Sequence, residues 1–163
     1  MDLTYRKATL SDLSLLVDIR IEFMLAANHL PEDTDMSRPR RLTEAYYRQA
    51  LTDGTHTAFL VFDGDAFVGT GAVSYYQVMP TYCNPTGRKA YIMNIYTRPA
   101  WRRRGIALHT LNLLVDEIRR QGITFISLEA TDMGRPVYET YGFRPMTDEM
   151  KLPEDVPTRK DLL

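Results

Sequence analysis

A run of basic residues ends in a glycine where an apolar segment gives way to a helical pattern. A glycine-containing turn that opens a helix can aim several backbone N–H groups at one anion, and the helix N-terminus adds partial positive charge. Arginine side chains add charge-assisted contacts to phosphate oxygens. The candidate site for a phosphorylated ligand comprises Arg102, Arg103, Arg104, Gly105, Ile106 and Ala107.

The same run is also compatible with a solvated surface turn, because short basic motifs recur by chance. Its surroundings favour the anion site. The preceding residues 91–97 are apolar and strand-like, and Pro99 interrupts them. Apolar residues then recur at helical spacing, which places the turn at the start of a helix. These residues are Ala107, Leu111, Leu114, Val115 and Ile118.

Size and composition exclude several classes of protein. The 163 residues predict a single domain over 1–163, with a frayed tail after about residue 153. A net charge of −1 argues against a nucleic-acid partner. The single cysteine, Cys83, and three histidines without ligand spacing predict no disulfide and no metal site. The lack of a signal peptide or a membrane-length apolar stretch predicts a cytoplasmic protein without membrane contact.

The order of elements predicts a mixed α/β fold with a single central, mostly antiparallel sheet flanked by about four helices. The unit from 91 to about 130 is strand–helix–strand, and its right-handed crossover makes those two strands parallel. Ser11 is predicted to cap the first helix, which continues through residue 25. Strands are predicted at 3–8, 57–62, 66–78, 88–97, 123–130 and within 143–152, and further helices at 41–51, 103–121 and 135–141.

This pattern resembles the GNAT superfamily of acetyl-CoA-dependent N-acyltransferases, and two motifs carry the resemblance. The family's Q/R-x-x-G-x-G/A turn is matched by Arg102, Gly105 and Ala107. The family's tyrosine on a short helix before Gly-Phe is matched by Tyr138, four residues ahead of the 142–143 pair. The element order follows the family over nearly the whole chain.

The resemblance implies that acetyl-CoA is the co-substrate and that its pyrophosphate lies on the turn from Arg102 to Ala107. Its pantetheine arm would then bond to the strand edge near Ile95 and Thr97. In the family this strand is bulged and splays from its parallel neighbour, which leaves backbone groups for the ligand. An N–H near Ile95 would stabilise the oxyanion. Thr131 stands where the family often has a polar residue facing the pantetheine.

The implied reaction is direct attack of a primary amine on the thioester. Tyr138 aligns with the family's general acid, and a phenol can protonate a departing thiolate without being ionised at neutral pH. A tyrosine at this helical position is also compatible with a packing role. The family's strand glutamate is replaced by Tyr91, so we expect a water chain ordered by Tyr91 or Asn94 to deprotonate the amine. Glu129 and Asp132 are further candidates.

Other functions remain open from the sequence. The acceptor implied by the resemblance is a small-molecule or peptidyl amine, and the acidic residues Glu32, Asp33 and Asp35 favour attraction of a cation. The missing strand carboxylate is also compatible with a non-catalytic acyl-CoA-binding or regulatory module of the same fold. A nucleotide-binding protein is disfavoured because neither G-x-x-x-x-G-K-[ST] nor G-x-G-x-x-G occurs. A homodimer through the C-terminal strands is a family expectation.

Overall fold

The structure is a computed structural model that describes residues 2–156 of the chain. Five strands and four α-helices follow one another as β1, α1, α2, β2, β3, β4, α3, β5 and α4. The strands are β1 (Leu3–Lys7), β2 (His56–Asp63), β3 (Ala66–Gln77), β4 (Arg88–Thr97) and β5 (Phe125–Leu128). The helices are α1 (Leu13–Ala27), α2 (Ser37–Asp53), α3 (Ile106–Arg120) and α4 (Arg135–Tyr141).

The strands form one sheet in the order β1-β2-β3-β4-β5. Neighbours from β1 to β4 pair antiparallel, and only β4 and β5 pair parallel. The parallel pair is joined through α3, as a parallel connection requires. The predicted mixed fold with a mostly antiparallel sheet and one parallel pair is therefore confirmed.

Pairing between strands β4 and β5 ends half-way along β4. Their register runs from Lys89 opposite Phe125 to Ile92 opposite Leu128 and stops there. The remaining residues of β4, 93–97, have no strand partner on that side among the described residues. The splayed strand pair expected from the family resemblance is thus present.

The two faces of the sheet are covered by different helices. Helices α1 and α2 cover one face, and their buried side chains include Leu16, Ile19 and Tyr47. Helix α3 covers the other face with Leu111, Leu114 and Ile118, which follow the spacing of an amphipathic helix.

The C-terminal end of α3 is held by polar contacts to the sheet. Glu117, which is 9% exposed, accepts ion pairs from Lys7 of β1 and from Arg120, both at 2.8 Å. Arg88 of β4 donates from Nη1 to the carbonyl oxygen of Gln121 at 2.9 Å. The helix is therefore tied to two strands at the end opposite the basic turn.

Predicted helix starts are corrected by local hydrogen bonds. Ser11 does not cap α1, because the chain first makes a 3-10 turn over Leu10–Asp12 and the helix begins at Leu13. Asp12 sets this turn by accepting the Thr9 N–H at 2.8 Å. Helix α2 begins at Ser37, earlier than predicted, since Pro39 falls in its first turn, where proline is tolerated.

Two C-terminal elements also differ from prediction. Strand β5 is shorter than the predicted 123–130. The predicted strand within 143–152 is wrong, because the structure has no strand there. Phe143 instead bonds its N–H to the carbonyl of Tyr138 at 2.9 Å and packs into the α3-side core, and Pro145 then removes an amide donor.

The predicted frayed tail begins after about residue 153, and most of it, residues 157–163, lies outside the described residues. The preceding Pro153 and Val156 close a turn through an N–H to carbonyl bond of 3.2 Å. Over residues 2–156, none of the helices combines the length and apolar character needed to cross a bilayer.

Replacement of Gly71 by alanine should destabilise the fold. A Cβ there would lie 2.6 Å from Ile95 Cδ1 and 2.7 Å from Thr110 Cγ2. Overpacking of this kind costs about 1–3 kcal/mol. Urea unfolding of Gly71→Ala should show this loss in unfolding free energy, whereas Ser14→Ala, on an exposed face of α1, should stay within about 0.5 kcal/mol of the native value. Equal unfolding free energies of the two variants would show that the core accommodates the added methyl group without cost.

Candidate active site

A β-bulge re-aims the side chains in the unpaired half of β4. Thr70 of β3 lies opposite Tyr96 and Ala72 opposite Met93, so two residues of β4 oppose the single Gly71. Asn94, one of the two, has a φ of +56°. The bulge leaves the edge of β4 with backbone groups that are free to bond a ligand lying between the strands.

The turn after β4 presents backbone N–H groups to solvent. Arg103 has a φ of +60° and Gly105 a φ of +78°, so neither residue continues a helix, and α3 begins at Ile106. The predicted helix start at 103 is corrected for this reason. The first amide to bond back is that of His109, which donates to the Gly105 carbonyl at 2.9 Å. The N–H groups of residues 106–108 therefore point outward from the helix N-terminus.

The arginines of the turn lie on its exposed surface. Arg102 folds back onto the end of β4, where its Nε donates to the Thr97 carbonyl at 3.1 Å. Arg98, just before the turn, contacts Glu22 at 3.3 Å and lies over the Phe67 ring. The site thus combines outward N–H groups with positive charge, which suits a phosphate or pyrophosphate.

Thr97 holds an unused polar atom at the end of β4. Its Oγ1 is buried and has no hydrogen-bond partner among the described residues. A buried hydroxyl without a partner is uncommon and is a natural contact for a ligand on this edge. This observation supports Thr97 as a candidate binding residue.

Tyr138 lies half-buried on α4 and packs edge-on against Phe143, with ring centroids 6.2 Å apart. Burial raises the pKa of Tyr138, and the nearby Tyr91 raises it further. The pKa of Tyr91 is itself raised, first by burial and then by the charge of Glu129. The structure therefore brings Tyr91 and Tyr138 within electrostatic reach of each other, and both phenols stay protonated at neutral pH.

Thr131 lies at the entry to α4. Its Oγ1 accepts the Gly134 N–H at 3.2 Å, and its carbonyl accepts the Arg135 N–H at 2.9 Å. The residue is exposed and supports the short helix that carries Tyr138. This contact gives Thr131 a structural role alongside the ligand contact predicted for it.

On the face covered by α1 and α2, a polar cluster lies next to the bulge. Tyr46 Oη is 3.0 Å from His56 Nδ1 and 2.7 Å from Ser74 Oγ, and Ser74 Oγ is 3.5 Å from Met93 Sδ. We call Tyr46, His56 and Ser74 the polar triangle. His56 is 5% exposed, and its Nε2 has no partner among residues 2–156. Burial, and then the charge of Arg20, lower the pKa of His56 to about 4.

A carboxylate and a buried phenol form a second cluster beside the splay. Tyr96 Oη donates to Glu22 Oε1 at 2.6 Å. Burial and this contact raise the pKa of Tyr96 to about 12. Glu22 therefore bridges Tyr96 and Arg98, and it ties α1 to the end of β4.

Sequence reasoning missed the polar triangle and Arg20. Their residues come from α1, α2, β2 and β3, and no sequence motif joins positions so far apart. His56 alone carried a signal, since it starts the β2 pattern in register with apolar inward-facing residues. In the part of the chain that the structure describes, no three His, Cys, Asp or Glu side chains are grouped to hold a metal ion.

Comparison with known proteins gives a consistent result. The sequence model of the acetyltransferase (GNAT) family matches residues 23–143. A predicted acetyltransferase from Clostridium acetobutylicum, crystallised with acetyl-CoA, is 34% identical with a TM-score of 0.84, covering 93% of this chain and 96% of that chain. A search of curated proteins returned no match.

Two further solved structures share the fold. A GCN5-related N-acetyltransferase from Ralstonia eutropha JMP134 is 26% identical with a TM-score of 0.82, covering 93% of this chain and 98% of that chain. Aminoglycoside N-acetyltransferase AAC(6')-Iy, crystallised with CoA, is 13% identical with a TM-score of 0.74, covering 95% and 96% of the two chains. At that identity the second likeness concerns the fold alone.

The buried neutral His56 should make the fold sensitive to mild acid. Its pKa is about 4 in the folded chain and 6.5 in the unfolded chain, so the unfolded chain binds more protons between these values. The stabilisation is complete above pH 6.5 and is lost as the pH falls toward 4, by up to about 3 kcal/mol. Urea unfolding at stepped pH should show this slope in the native chain and a shallower slope in His56→Gln. Equal slopes would contradict the burial of a neutral imidazole.

Proposed function

This chain belongs to the GNAT family of acetyltransferases, and from that premise we propose that it transfers the acetyl group of acetyl-CoA to a primary amine. The observation that carries the proposal is the half-unpaired, bulged β4 leading directly into the left-handed turn at the N-terminus of α3. A long ligand with a polar arm and an anionic end fits a free strand edge that ends at an anion-binding turn.

The turn from Arg102 to Ala107 binds the pyrophosphate in this proposal. The outward N–H groups and the arginines supply donors and charge, and Gly105 keeps the approach open, since no atom lies within 4 Å of where its Cβ would be. Ile95 and Thr97 bond the pantetheine arm, and the orphan Thr97 hydroxyl supports this assignment. The acetyl-CoA in the Clostridium structure, at 34% identity, supports the choice of co-substrate.

The chemistry is a direct transfer. The amine nitrogen forms a bond to the thioester carbonyl carbon, the C–S bond breaks, and the nitrogen loses one proton while the sulfur gains one. A backbone N–H of β4 near Ile95 stabilises the oxyanion. Tyr138 supplies the proton to sulfur. Because its pKa is raised, Tyr138 holds that proton at neutral pH and stabilises the developing thiolate by hydrogen bonding as the C–S bond breaks.

Deprotonation of the amine is assigned to water ordered by Tyr91 and Asn94, because β4 carries no carboxylate. The lack of this carboxylate also favours one alternative, a non-catalytic acyl-CoA-binding module of the same fold. The two functions differ in turnover and share the binding of acetyl-CoA, so binding and turnover must be tested separately.

Binding is tested by a matched pair of glycines at the two ends of α3. Gly105 and Gly122 have φ values of +78° and +73°, and neither has an atom within 4 Å of its would-be Cβ. Alanine at either position should destabilise the fold by about 1–2 kcal/mol through the same backbone strain. Only Gly105→Ala should weaken acetyl-CoA binding, by tenfold or more in calorimetry, because its methyl group enters the pyrophosphate site.

The native chain supplies the reference for this test. Acetyl-CoA at about 100 times its Kd adds about 2.7 kcal/mol to stability and should raise the unfolding midpoint by several degrees, whereas ATP should not. Equal loss of acetyl-CoA affinity in Gly105→Ala and Gly122→Ala would contradict the placement of the pyrophosphate. A midpoint raised by ATP alone would contradict the choice of co-substrate.

Turnover is tested at Tyr138. Tyr138→Phe should lower kcat about 100-fold or more, as expected for loss of a general acid, and leave the Kd for acetyl-CoA unchanged. The control is Tyr141→Phe on the same helix, whose hydroxyl donates to Asn112 Oδ1 at 3.1 Å and has no part in the reaction. Thiol release across an amine panel measures both. Unchanged kcat in Tyr138→Phe would remove Tyr138 as the acid, and no release with any amine would favour the non-catalytic module.

A further inference from the structure

Arg20 is a half-buried arginine held beside the bulge of β4. It lies on α1, and its Nη1 donates to Asn94 Oδ1 at 3.3 Å. Its guanidinium also lies over the Phe23 ring, 5.3 Å from the centroid. These two contacts fix the side chain against the residue at which β4 leaves its regular pairing, and neither contact neutralises its charge.

No carboxylate within residues 2–156 forms an ion pair with Arg20. Seven such pairs occur in this part of the chain, and all involve other basic residues. The two carboxylates nearest in sequence are both engaged elsewhere, Asp18 by Arg40 and Glu22 by Tyr96 and Arg98. A half-buried guanidinium that makes one hydrogen bond has further N–H groups that can bind an anion.

The side chains that contact Arg20, or whose pKa its charge shifts, are neutral. The polar triangle of Tyr46, His56 and Ser74 lies within its electrostatic reach, because the charge of Arg20 helps to lower the pKa of His56. His56 is therefore uncharged at neutral pH, and its unpartnered Nε2 is a further buried polar atom. This region combines the positive charge of Arg20 with several hydrogen-bonding groups, which suit an anion and repel a cation.

We infer that the acceptor amine also carries an anionic group, a carboxylate or a phosphate, which Arg20 binds beside the bulge. The inference rests on the proposed function, in which the thioester lies at the bulge. The fork of the guanidinium matches the oxygens of either anion, and Phe23 keeps it oriented. The reacting amine then lies on the side of β4 that faces α1 and α2, with its anion directed away from the thioester.

Pairs of amines that differ only in the anion test this inference. Each natural amino acid is compared with its amide, and O-phosphoethanolamine with ethanolamine, by thiol release at saturating acetyl-CoA. The anionic member of at least one pair should have a kcat/KM at least tenfold higher. The first set reports a carboxylate and the second a phosphate.

Variants then assign the preference to Arg20. Arg20→Gln should reduce the ratio within that pair at least tenfold, mainly by raising the KM of the anionic amine, with the KM of acetyl-CoA unchanged. Arg20→Lys should retain part of the preference for the anionic amine, because the positive charge remains while the forked hydrogen-bonding geometry of the guanidinium is lost. The control is Arg48→Gln on α2, whose partner is Glu44 at 2.7 Å, and it should keep the native ratio.

Each other outcome overturns the inference. If the native chain has an equal or higher kcat/KM for the neutral amines, the inference is overturned without any variant. The test therefore remains decisive even if Arg20→Gln fails to fold. An unchanged ratio in a folded Arg20→Gln also overturns it. In both cases the proposed acetyl transfer still stands. No thiol release with any amine, charged or neutral, overturns the proposed function and this inference together.

Discussion

One left-handed residue in the middle of β4 determines the geometry of the whole site. A strand that stayed regular through Asn94 would keep its ladder with β3 and could continue to pair with β5. The extra residue twists the strand away, and pairing with β5 ends at Ile92. Asparagine is among the few side chains that accept a positive φ at modest cost. Two features accommodate this conformation: Arg20 donates to the side-chain oxygen of Asn94, and Gly71, opposite on β3, has no side chain to obstruct it.

Burial separates the neutral groups of the site from its charged groups. Tyr96, Tyr138 and His56 are all shifted by desolvation in the direction that keeps them uncharged near pH 7. The fixed positive charges are arginines, on the turn after β4 and at Arg20. In the proposed reaction, hydrogen bonding and proton transfer fall to these neutral groups, which lie in a less polar interior where each contact is stronger than it would be in water. The proposed contacts to anions are made by arginine side chains.

The sequence was most informative where a feature is local. The turn from Arg102 to Ala107, the apolar face of α3 and the Gly-Phe after α4 are each encoded within a few residues. The family resemblance followed from the two motifs among them, and the mixed fold followed from the order of the elements. Helix starts were wrong where Asp12 bonds a nearby backbone group or where a proline is tolerated, because such bonds compete closely with helix propensity. The strand expected within 143–152 failed because Phe143 finds a core position against α3, which only the tertiary structure determines.

The residues of the candidate site also divide into those that a local sequence pattern predicts and those that only the tertiary structure brings together. The packing of α1 and α2 on the sheet brings together Arg20, Tyr46, His56 and Ser74. No spacing between these residues in the sequence predicts that they are neighbours. The position of Asn94 on β4 was evident, but its left-handed backbone depends on Gly71 across the strand pair and on Arg20 across the interface. The roles of Tyr138 and Thr131 remain predictions, since each also has a packing or hydrogen-bonding contact that would hold it in place without any ligand.

The polar anchor at the far end of α3 has a mechanical consequence. Glu117 and Gln121 tie the last turns of the helix to β1 and β4, while the first turn carries the outward N–H groups. These contacts oppose sliding of the helix along its axis and so help to hold its first turn in position. Little conformational entropy is then lost when a ligand arrives, because the donors are already where they are needed. The part-buried ion pair between Lys7 and Glu117 lies about three turns from the first turn of α3 and helps to hold it in place. Weakening this ion pair would therefore weaken the proposed anion binding without removing any contact to the anion.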